Sequence, residues 1–334
     1  MWEIRRYKSE MRDEWDAFVK IARNATFLFR RSYMDYHSDR FKDHSLLAYR
    51  NGKLSAILPA NIEDSTLWSH KGLTYGGWVW KDTGLDTTTI FHLWKTWLEW
   101  CGDNGIKKIV YKPLPYVYSI MPSQEDLYML FICGAVLLQS DISTAIDLIN
   151  NPGFNKLQKR HLKKVPEEFY IDTFDGRDAD DIKEFHEMTV ECLQDRHGSS
   201  PVHSYEELLH LSQTNREIVF WGVFSDDIHE MQGGVCIYET EICAHCQYIA
   251  TTPHGRETNA LSFLFEYLID LYTDADFRYF DFGTSNENGG RYLNEGLNRQ
   301  KTSYGGSGVA YQRYEINVSS ALAQLPTELW PPKK

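Results

Sequence analysis

The sequence predicts an α+β protein with two consecutive domains, each a mixed twisted sheet flanked by helices. Its 334 residues exceed the usual size of one hydrophobic core. Both halves read as a helix, antiparallel strands, a second helix and a further strand. Between them, NNPGF (residues 150–154) supplies the turn residues typical of a boundary. We therefore expect domains at 1–150 and 151–325, with most of the functional residues in the second.

The first half contains three local signals. Residues 12–22 place apolar side chains on one helical face. Two apolar runs within 44–62 flank Asn51-Gly52, which predicts a hairpin with a type I′ turn. A Trp- and Leu-rich helix is expected over 86–104, ended by Gly105.

The second half alternates strong helix and strand patterns. An acidic first turn predicts a helix over 178–193, and a polar loop follows from Gln194. Ser204 and Glu207 have the spacing of a capping box. Three antiparallel strands are expected from Glu217 to Thr252, then a long helix over 258–272, a strand ending at Gly283 and a glycine-rich polar loop up to Gly306.

The charge of the chain limits its partners. A net charge of −12 and a pI near 5.5 argue against a broad basic surface for DNA. The one dense basic run is LQKRHLKK (157–164). It is typical of a solvated helix face, and it also suits contact with a small anion or an RNA backbone.

No targeting or membrane signal is evident. The first fifteen residues are too charged for a signal peptide. The longest apolar run, 128–138, is too short for a transmembrane segment and contains Gly134. The sequence therefore predicts a cytoplasmic protein.

The six cysteines show no disulfide framework and are expected to be reduced. Cys243-Ala-His-Cys246 suggests zinc, but this stretch alternates like a strand, on which residues three apart point to opposite faces. No second pair has metal spacing, so we expect no metal. Walker, dinucleotide-binding and nucleophile-elbow motifs are also missing from the sequence.

Four stretches, taken in order, resemble one known family. They are SHKGLTYGG (69–77), the basic helix and strand over 155–174, the segment 192–211, and the C-terminal loop with Gly283, Ser285, Lys301 and Tyr304-Gly305. Together they resemble Fem-type proteins, which carry two GNAT acyltransferase domains. The resemblance spans roughly residues 10–318.

The resemblance implies a tandem GNAT-like fold and two possible activities. Fem peptidyltransferases transfer an amino acid from aminoacyl-tRNA to an amine of a peptidoglycan precursor, whereas GNAT-like relatives use acyl-CoA and often serve cell-envelope polysaccharide biosynthesis. The sequence departs from both patterns. Residues 250–261 contain one glycine in place of a glycine-rich acyl-CoA loop, and the charged helical hairpin that some Fem proteins use for tRNA is missing.

The donor is expected at the start of the helix near Thr258, because free N–H groups and the helix dipole attract phosphate. Arg256 would be the charge partner. An ordinary strand-to-helix turn capped by Thr258 explains the same residues. The predicted donor-binding residues are His254, Gly255, Arg256, Thr258 and Asn259.

Asp281 is the predicted general base, since burial raises the pKa of a carboxyl group toward neutrality. Alternatively, it caps a turn or pairs with Arg291 or Lys301. The family resemblance assigns Tyr304 as the proton donor to the leaving thiolate. The predicted acceptor-binding residues are Ser285, Asn286, Glu287, Lys301, Arg196, His197 and, from the first domain, Tyr75.

The sequence thus predicts an N-acyltransferase that uses acetyl-CoA or another acyl-CoA and an amine acceptor such as an amino sugar. No activated Cys or Ser stands out, which favours direct attack by the amine. Two alternatives stay open: Fem-like transfer from aminoacyl-tRNA, and a non-catalytic module that binds carbohydrate or peptide.

Overall fold

The computed structural model describes residues 1–81, 83–226 and 230–329, apart from the side chains of residues 196 and 197. The chain forms two compact units. The first comprises Met1–Asp141, Asn288–Arg291 and the described residues 310–329. The second comprises Ile142–Glu287 and Tyr292–Val309. These units differ from the predicted 1–150 and 151–325, because the C-terminal segment belongs to the first unit.

Helices and strands alternate along both units, as expected for an α+β protein. The described strands are β1 Trp2–Arg6, β2 Leu46–Arg50, β3 Lys53–Leu58, β4 Asn61–Glu63, β5 Thr66–Trp68, β6 Val79–Trp80, β7 Lys108–Tyr111, β8 Val136–Asp147, β9 Phe169–Phe174, β10 Ile218–Ser225, β11 Met231–Glu239, β12 Cys243–Thr251, β13 Tyr279–Thr284, β14 Asn286–Glu287, β15 Tyr292–Leu293 and β16 Ser307–Asn317. The described α-helices are α1 Arg12–Val19, α2 Arg31–Met34, α3 Thr87–Asp103, α4 Glu125–Ile132, α5 Lys156–Leu162, α6 Ala179–His197, α7 Tyr205–Thr214, α8 Pro253–Glu257, α9 Ala260–Asp274, α10 Glu295–Ser303 and α11 Val318–Gln324.

The first unit confirms the local predictions. Strands β2 and β3 pair antiparallel around Asn51 and Gly52, whose φ angles of 50° and 76° are those of a type I′ turn. Helix α3 begins after Asp86, which accepts a hydrogen bond from Thr89 N at 2.7 Å, and the chain turns at Gly105 with φ 74°. A β1-β2-β3-β6 sheet forms, and β5 and β16 pair with β7.

Aromatic side chains fill the core of the first unit. Trp94 and Trp97 of α3 are fully buried, with ring centroids 5.1 Å apart in an edge arrangement. The Tyr111 ring lies 5.4 Å from that of Trp94. The Tyr111 hydroxyl accepts a hydrogen bond from Trp78 N at 2.8 Å and donates one to Asp126 at 3.0 Å.

The second unit has the strand order β8-β13-β12-β11-β10-β9. Every neighbouring pair in it is antiparallel except β12 and β13, which are parallel. On β11, Gly234 faces Phe185 of α6, whereas Val235 packs in one cluster with Leu264 and Leu268 of α9. Because successive strand residues face opposite sides, α6 and α9 cover the two faces of the sheet. The predicted α+β class with helix-flanked mixed sheets is confirmed.

Three sequence predictions in this unit need correction. Helix α6 runs to His197 and ends at Gly198 in the left-handed conformation, so residues 194–197 are helical rather than a loop. The long apolar helix begins at Ala260, not at Thr258. The glycine-rich stretch before Gly306 contains the β14–β15 ladder and helix α10, which its weak hydrophobic pattern concealed.

Candidate functional site

The parallel pair β12–β13 defines a distinctive point of the second unit. The paired residues of these two strands end with His245, which lies opposite Asp281. Just beyond, the β11–β12 register shifts at Cys246–Tyr248, and the β8–β13 register shifts between Asp281 and Thr284. Bulges of this kind re-aim side chains and end strand pairing. His245 and Asp281 therefore lie where two neighbouring strands cease to pair.

Asp281 is completely buried and lies within hydrogen-bond distance of several polar groups. The Ser143 hydroxyl and Gly283 N, the latter at 3.3 Å, donate to it, and His245 Nδ1 lies 2.7 Å from its other carboxylate oxygen. The predicted general base is therefore enclosed by its hydrogen-bonding neighbours. His245, with 11% of its side chain exposed, is the member of the pair that reaches the surface.

Lys301 of α10 secures the chain just after Asp281. Its ammonium group donates to the carbonyl oxygens of Gly283 at 2.9 Å and Thr284 at 2.7 Å. Burial lowers the pKa of Lys301 to about 8, an effect that the nearby charge of Asp281 opposes. The predicted acceptor contact at Lys301 thus lies inside the protein, where it fixes the end of β13.

The three residues after β13 differ in their surroundings. Ser285 is buried, and its hydroxyl has no hydrogen-bond partner among the described residues. The Asn286 side chain accepts from Ile142 N at 2.6 Å, and Glu287 accepts from Asn294 Nδ2 at 3.2 Å. Asn286 therefore has a structural role in joining β14 to the start of the second unit. Ser285 offers an unused polar group, which is costly when buried.

A pocket of about 400 Å³ lies in the second unit. The lining residues come from α5, the end of β12, α8, the start of α9 and α10. They are Asn155, Leu157, Gln158, His161, Thr251, Gly255, Arg256, Asn259, Leu261, Ser262, Gly296, Arg299, Gln300, Ser303 and Tyr304. Two arginines and one histidine are among these lining residues and no carboxylate is, so the pocket favours an anion.

A buried hydrogen-bond network holds helix α5 against this pocket. Gln158 Nε2 donates to the Ser303 hydroxyl at 2.8 Å, and Ser262 donates to Gln158 Oε1 at 2.8 Å. With Gln158 directed inward, the cations of the predicted basic run are exposed. In the described chain, no ion pair forms at Lys156, Lys159, Arg160, Lys163 or Lys164. The pocket is thus bordered by uncompensated positive charge.

The predicted donor-binding residues separate into two groups. Arg256 and Asn259 line the pocket, as does Gly255. However, Gly255 N already donates to Thr252 Oγ1 at 2.9 Å, and a Cβ atom there would lie 1.9 Å from Gln232 O, so this glycine serves close packing.

His254 and Thr258 belong to α8 and its end, and neither is among the pocket residues. The Thr258 hydroxyl donates to His254 O at 2.7 Å instead of capping α9. Asn259, in the left-handed conformation with φ 64°, precedes α9 without capping it through its side chain.

Tyr304 joins the pocket to the strand that carries Asp281. It is buried, which raises the pKa of its phenol and keeps the hydroxyl protonated. Its ring stacks on Phe282, the residue after Asp281, at a centroid distance of 5.5 Å. The predicted proton donor therefore lies beside the pocket and packs on β13, on the face of the sheet that α9 covers.

The remaining predicted residues lie elsewhere. Tyr75 is buried in the first unit, where its hydroxyl donates to Thr26 Oγ1 at 3.3 Å and its ring packs against Phe29. Arg196 and His197 end helix α6, and their side chains lie outside the described residues.

His245 is the residue that sequence reasoning missed. It appeared only within the disfavoured zinc motif, and its partner lies 36 residues away. In the part of the chain that the structure describes, no group of three or more His, Cys, Asp or Glu residues is arranged to hold a metal ion. Over the same residues, every helix is too short or too polar to cross a bilayer.

Comparison with known proteins agrees with this geometry. Residues 156–292 match the family model described as an acetyltransferase (GNAT) domain. No curated protein sequence matches the chain. The second unit, which carries the pocket and the His245–Asp281 pair, thus contains a GNAT domain, a fold that supports acyltransferase activity.

Solved structures extend the likeness to the whole chain. The structure of FemX aligns with this chain at a TM-score of 0.67 and 11% sequence identity. The alignment covers 97% of this chain and 99% of the FemX chain. The C-terminal domain of a putative lysylphosphatidylglycerol synthetase from Agrobacterium fabrum has a TM-score of 0.57 at 12% identity, covering 95% of both chains. A tandem GNAT protein from the clavulanic acid biosynthesis pathway aligns with a TM-score of 0.51 at 12% identity, and this alignment covers 95% of this chain and 99% of that protein's chain. The chain has the tandem GNAT-like fold of the Fem type.

Proposed function

We propose that this protein is an N-acyltransferase whose acyl donor binds in the pocket of the second unit. The observation that carries the proposal is a pocket whose lining residues include Arg256 and Arg299 and no carboxylate, in the unit whose residues 156–292 match the GNAT family model. Phosphate groups are the anions that arginine binds with the best geometry.

The pocket and the point of strand separation are connected by β12. Thr251 at the end of this strand lines the pocket, and His245 lies six residues earlier. At about 3.3 Å per residue, this is a path of about 20 Å. The donor must therefore be elongated, with its phosphates in the pocket and its acyl group near His245. Acyl-CoA has this form and supplies an activated thioester carbonyl.

Tyr304, Arg256 and Asn259 would have distinct roles. Arg256 and Asn259 would hold donor phosphate at the mouth of the pocket. Tyr304, protonated and placed between the pocket and β13, would give a proton to the leaving thiolate. An amine attacks the acyl carbon directly, since a neutral amine is nucleophile enough once oriented.

The acceptor we propose is an amino sugar used in cell-surface glycan synthesis. The fold alone does not choose among amines. The buried Ser285 hydroxyl, which has no hydrogen-bond partner among the described residues, is a group that a bound acceptor would satisfy.

A second donor is favoured by one observation. Five cations of the segment around α5 form no ion pair among the described residues, and they extend the positive surface beyond what one CoA molecule requires. Aminoacyl-tRNA, the donor implied by the Fem resemblance, would use such a surface along its backbone.

Donor-dependent turnover tests the proposal. We expect acetyl-CoA to release free thiol when an amino sugar or its nucleotide derivative is present, and Arg256→Ala to lower kcat/KM at least tenfold. Arg216→Ala is the matched control, because this arginine is 95% exposed and lies outside the pocket. Amine-dependent deacylation of charged tRNA without thiol release would select the second donor. Turnover with neither donor would contradict an enzymatic role and favour a binding module.

A further inference from the structure

We infer that His245 is the catalytic base of the acyl transfer and that Asp281 is its positioning residue. This inference rests on the proposed function and reassigns the base predicted from sequence. It follows from the place of the pair in the sheet, from the hydrogen bonds of its two side chains and from the difference in their exposure to solvent.

The hydrogen bonds determine which nitrogen of His245 can act. Asp281 accepts the Ser143 hydroxyl and the Gly283 N–H, two donors that stabilise a negative carboxylate. A carboxylate has only acceptor atoms, so the 2.7 Å contact requires His245 Nδ1 to carry hydrogen. The tautomer therefore has its lone pair on Nε2, which is the arrangement that a general base needs.

Exposure separates the two members of the pair. Asp281 has no exposed surface, whereas 11% of the His245 side chain is exposed. A substrate amine can therefore approach His245 but not the carboxylate. A buried carboxylate behind a partly exposed imidazole orients the ring and stabilises it when it gains a proton.

Local geometry brings the ring to the end of strand pairing. Gly283 has φ 76°, and a Cβ atom there would lie 3.5 Å from His245 Cε1. The ring thus lies beside the bulged segment of β13, which Lys301 fixes through the Gly283 and Thr284 carbonyls. The bulge directs the pair toward the region that the two strands leave open.

The charged and titratable neighbours of the pair come from three elements. Lys301 of α10 interacts with Asp281 electrostatically. Cys243 and Cys246 of β12 are buried, which raises the pKa values of their thiols far above neutrality. Tyr238 of β11 is the register partner of His245. The two thiols therefore stay neutral near pH 7, and Lys301 and His245 are the basic groups beside Asp281.

The reaction balances with this assignment. The amine nitrogen forms a bond to the acyl carbon, and the acyl–sulfur bond breaks with its electron pair on sulfur. The proton lost by nitrogen goes to His245 Nε2. The thiolate takes a proton from Tyr304, which recovers one from His245 through solvent. The net change is amine plus thioester to amide plus thiol.

Two substitutions separate a catalytic role from a structural one. His245→Asn retains an N–H donor near the position of Nδ1 and lacks Nε2, whereas His245→Gln loses the donor to Asp281. We expect both variants to reduce kcat by about 10²–10⁴-fold, the usual contribution of a general base. We also expect the acid limb of the kcat/KM–pH profile to be lost in both. His210→Gln is the control, since this exposed histidine lies on α7 of the same unit.

Three outcomes are distinguishable. Loss of activity and of the acid limb in His245→Asn, with an unchanged melting temperature and unchanged KM for the donor, supports the inference. Wild-type kcat and pH profile in His245→Asn overturn it and leave the proposed function intact. No turnover by the wild-type enzyme with any donor overturns the proposed function, and the assignment of the base with it. If His245→Gln fails to fold, the kcat/KM–pH profiles of His245→Asn and Asp281→Asn test the inference instead. Asp281→Asn should lower kcat while retaining a shifted acid limb in its profile.

Discussion

Asp126 and Asp281 are both buried carboxyl groups, one in each unit, and their surroundings are opposite in character. Asp126 lies against an aromatic core and accepts the Tyr111 hydroxyl at 3.0 Å. Burial raises its pKa to about 7, with Glu125 adding to the effect. Asp281 has His245 in contact and the Lys301 ammonium nearby.

The difference shows how the fold uses two similar groups. A carboxyl group without a cationic partner tends toward its neutral form and serves as a hydrogen-bonding group of the core. One with an imidazole and an ammonium beside it retains its charge and can assist proton transfer. We therefore associate the first with the stability of its unit and the second with activity.

The largest expected effect directly tests the difference in role between Asp281 and Asp126. Asp281→Asn should lower kcat at least 100-fold, because the imidazole loses the partner that holds its tautomer. Asp126→Asn should leave kcat within about threefold of the wild-type value, since the amide still accepts the Tyr111 hydrogen bond. Steady-state kinetics of the two variants under identical conditions check both values.

Equal losses in the two variants would contradict the division of roles. Circular dichroism melting curves serve as the control, because a loss of kcat that accompanies global unfolding says nothing about proton transfer.

A smaller effect concerns stability and pH. The pKa of Asp126 is about 7 in the folded protein and near 3.8 when the chain is unfolded, so the native state binds the proton more tightly. Its stabilising contribution is complete below pH 4 and is lost as pH rises through 7. Urea unfolding should therefore show wild type losing stability relative to Asp126→Asn between pH 4 and pH 8. A constant difference across this range would show that Asp126 is already charged in the folded protein.

Sequence reasoning succeeded where structure is determined locally. The Asn51-Gly52 turn, the end of α3 before Gly105 and the Ser204–Glu207 capping box depend on residues within a few positions of one another. Such signals are present in the sequence itself.

Prediction failed where structure depends on distant pairing. The contact of His245 with Asp281 requires β12 and β13 to be parallel neighbours, although 36 residues separate the two side chains. Helix α10 was missed because its hydrophobic pattern is weak and glycines surround it, yet Lys301 and Tyr304 depend on it for their positions. The extension of α6 to His197 likewise follows no periodic signal.

The most direct test of the central claim is calorimetric titration of acetyl-CoA and free CoA into the wild-type protein, Arg256→Ala and Arg216→Ala. If the pocket of the second unit holds the donor, the wild type binds at micromolar concentration. Arg256→Ala then binds at least tenfold more weakly, because a charge-assisted hydrogen bond to phosphate is worth about 1.5–3 kcal/mol. Arg216→Ala should bind as the wild type does. Equal affinity of all three proteins, or no binding by any of them, would contradict a CoA donor in this pocket.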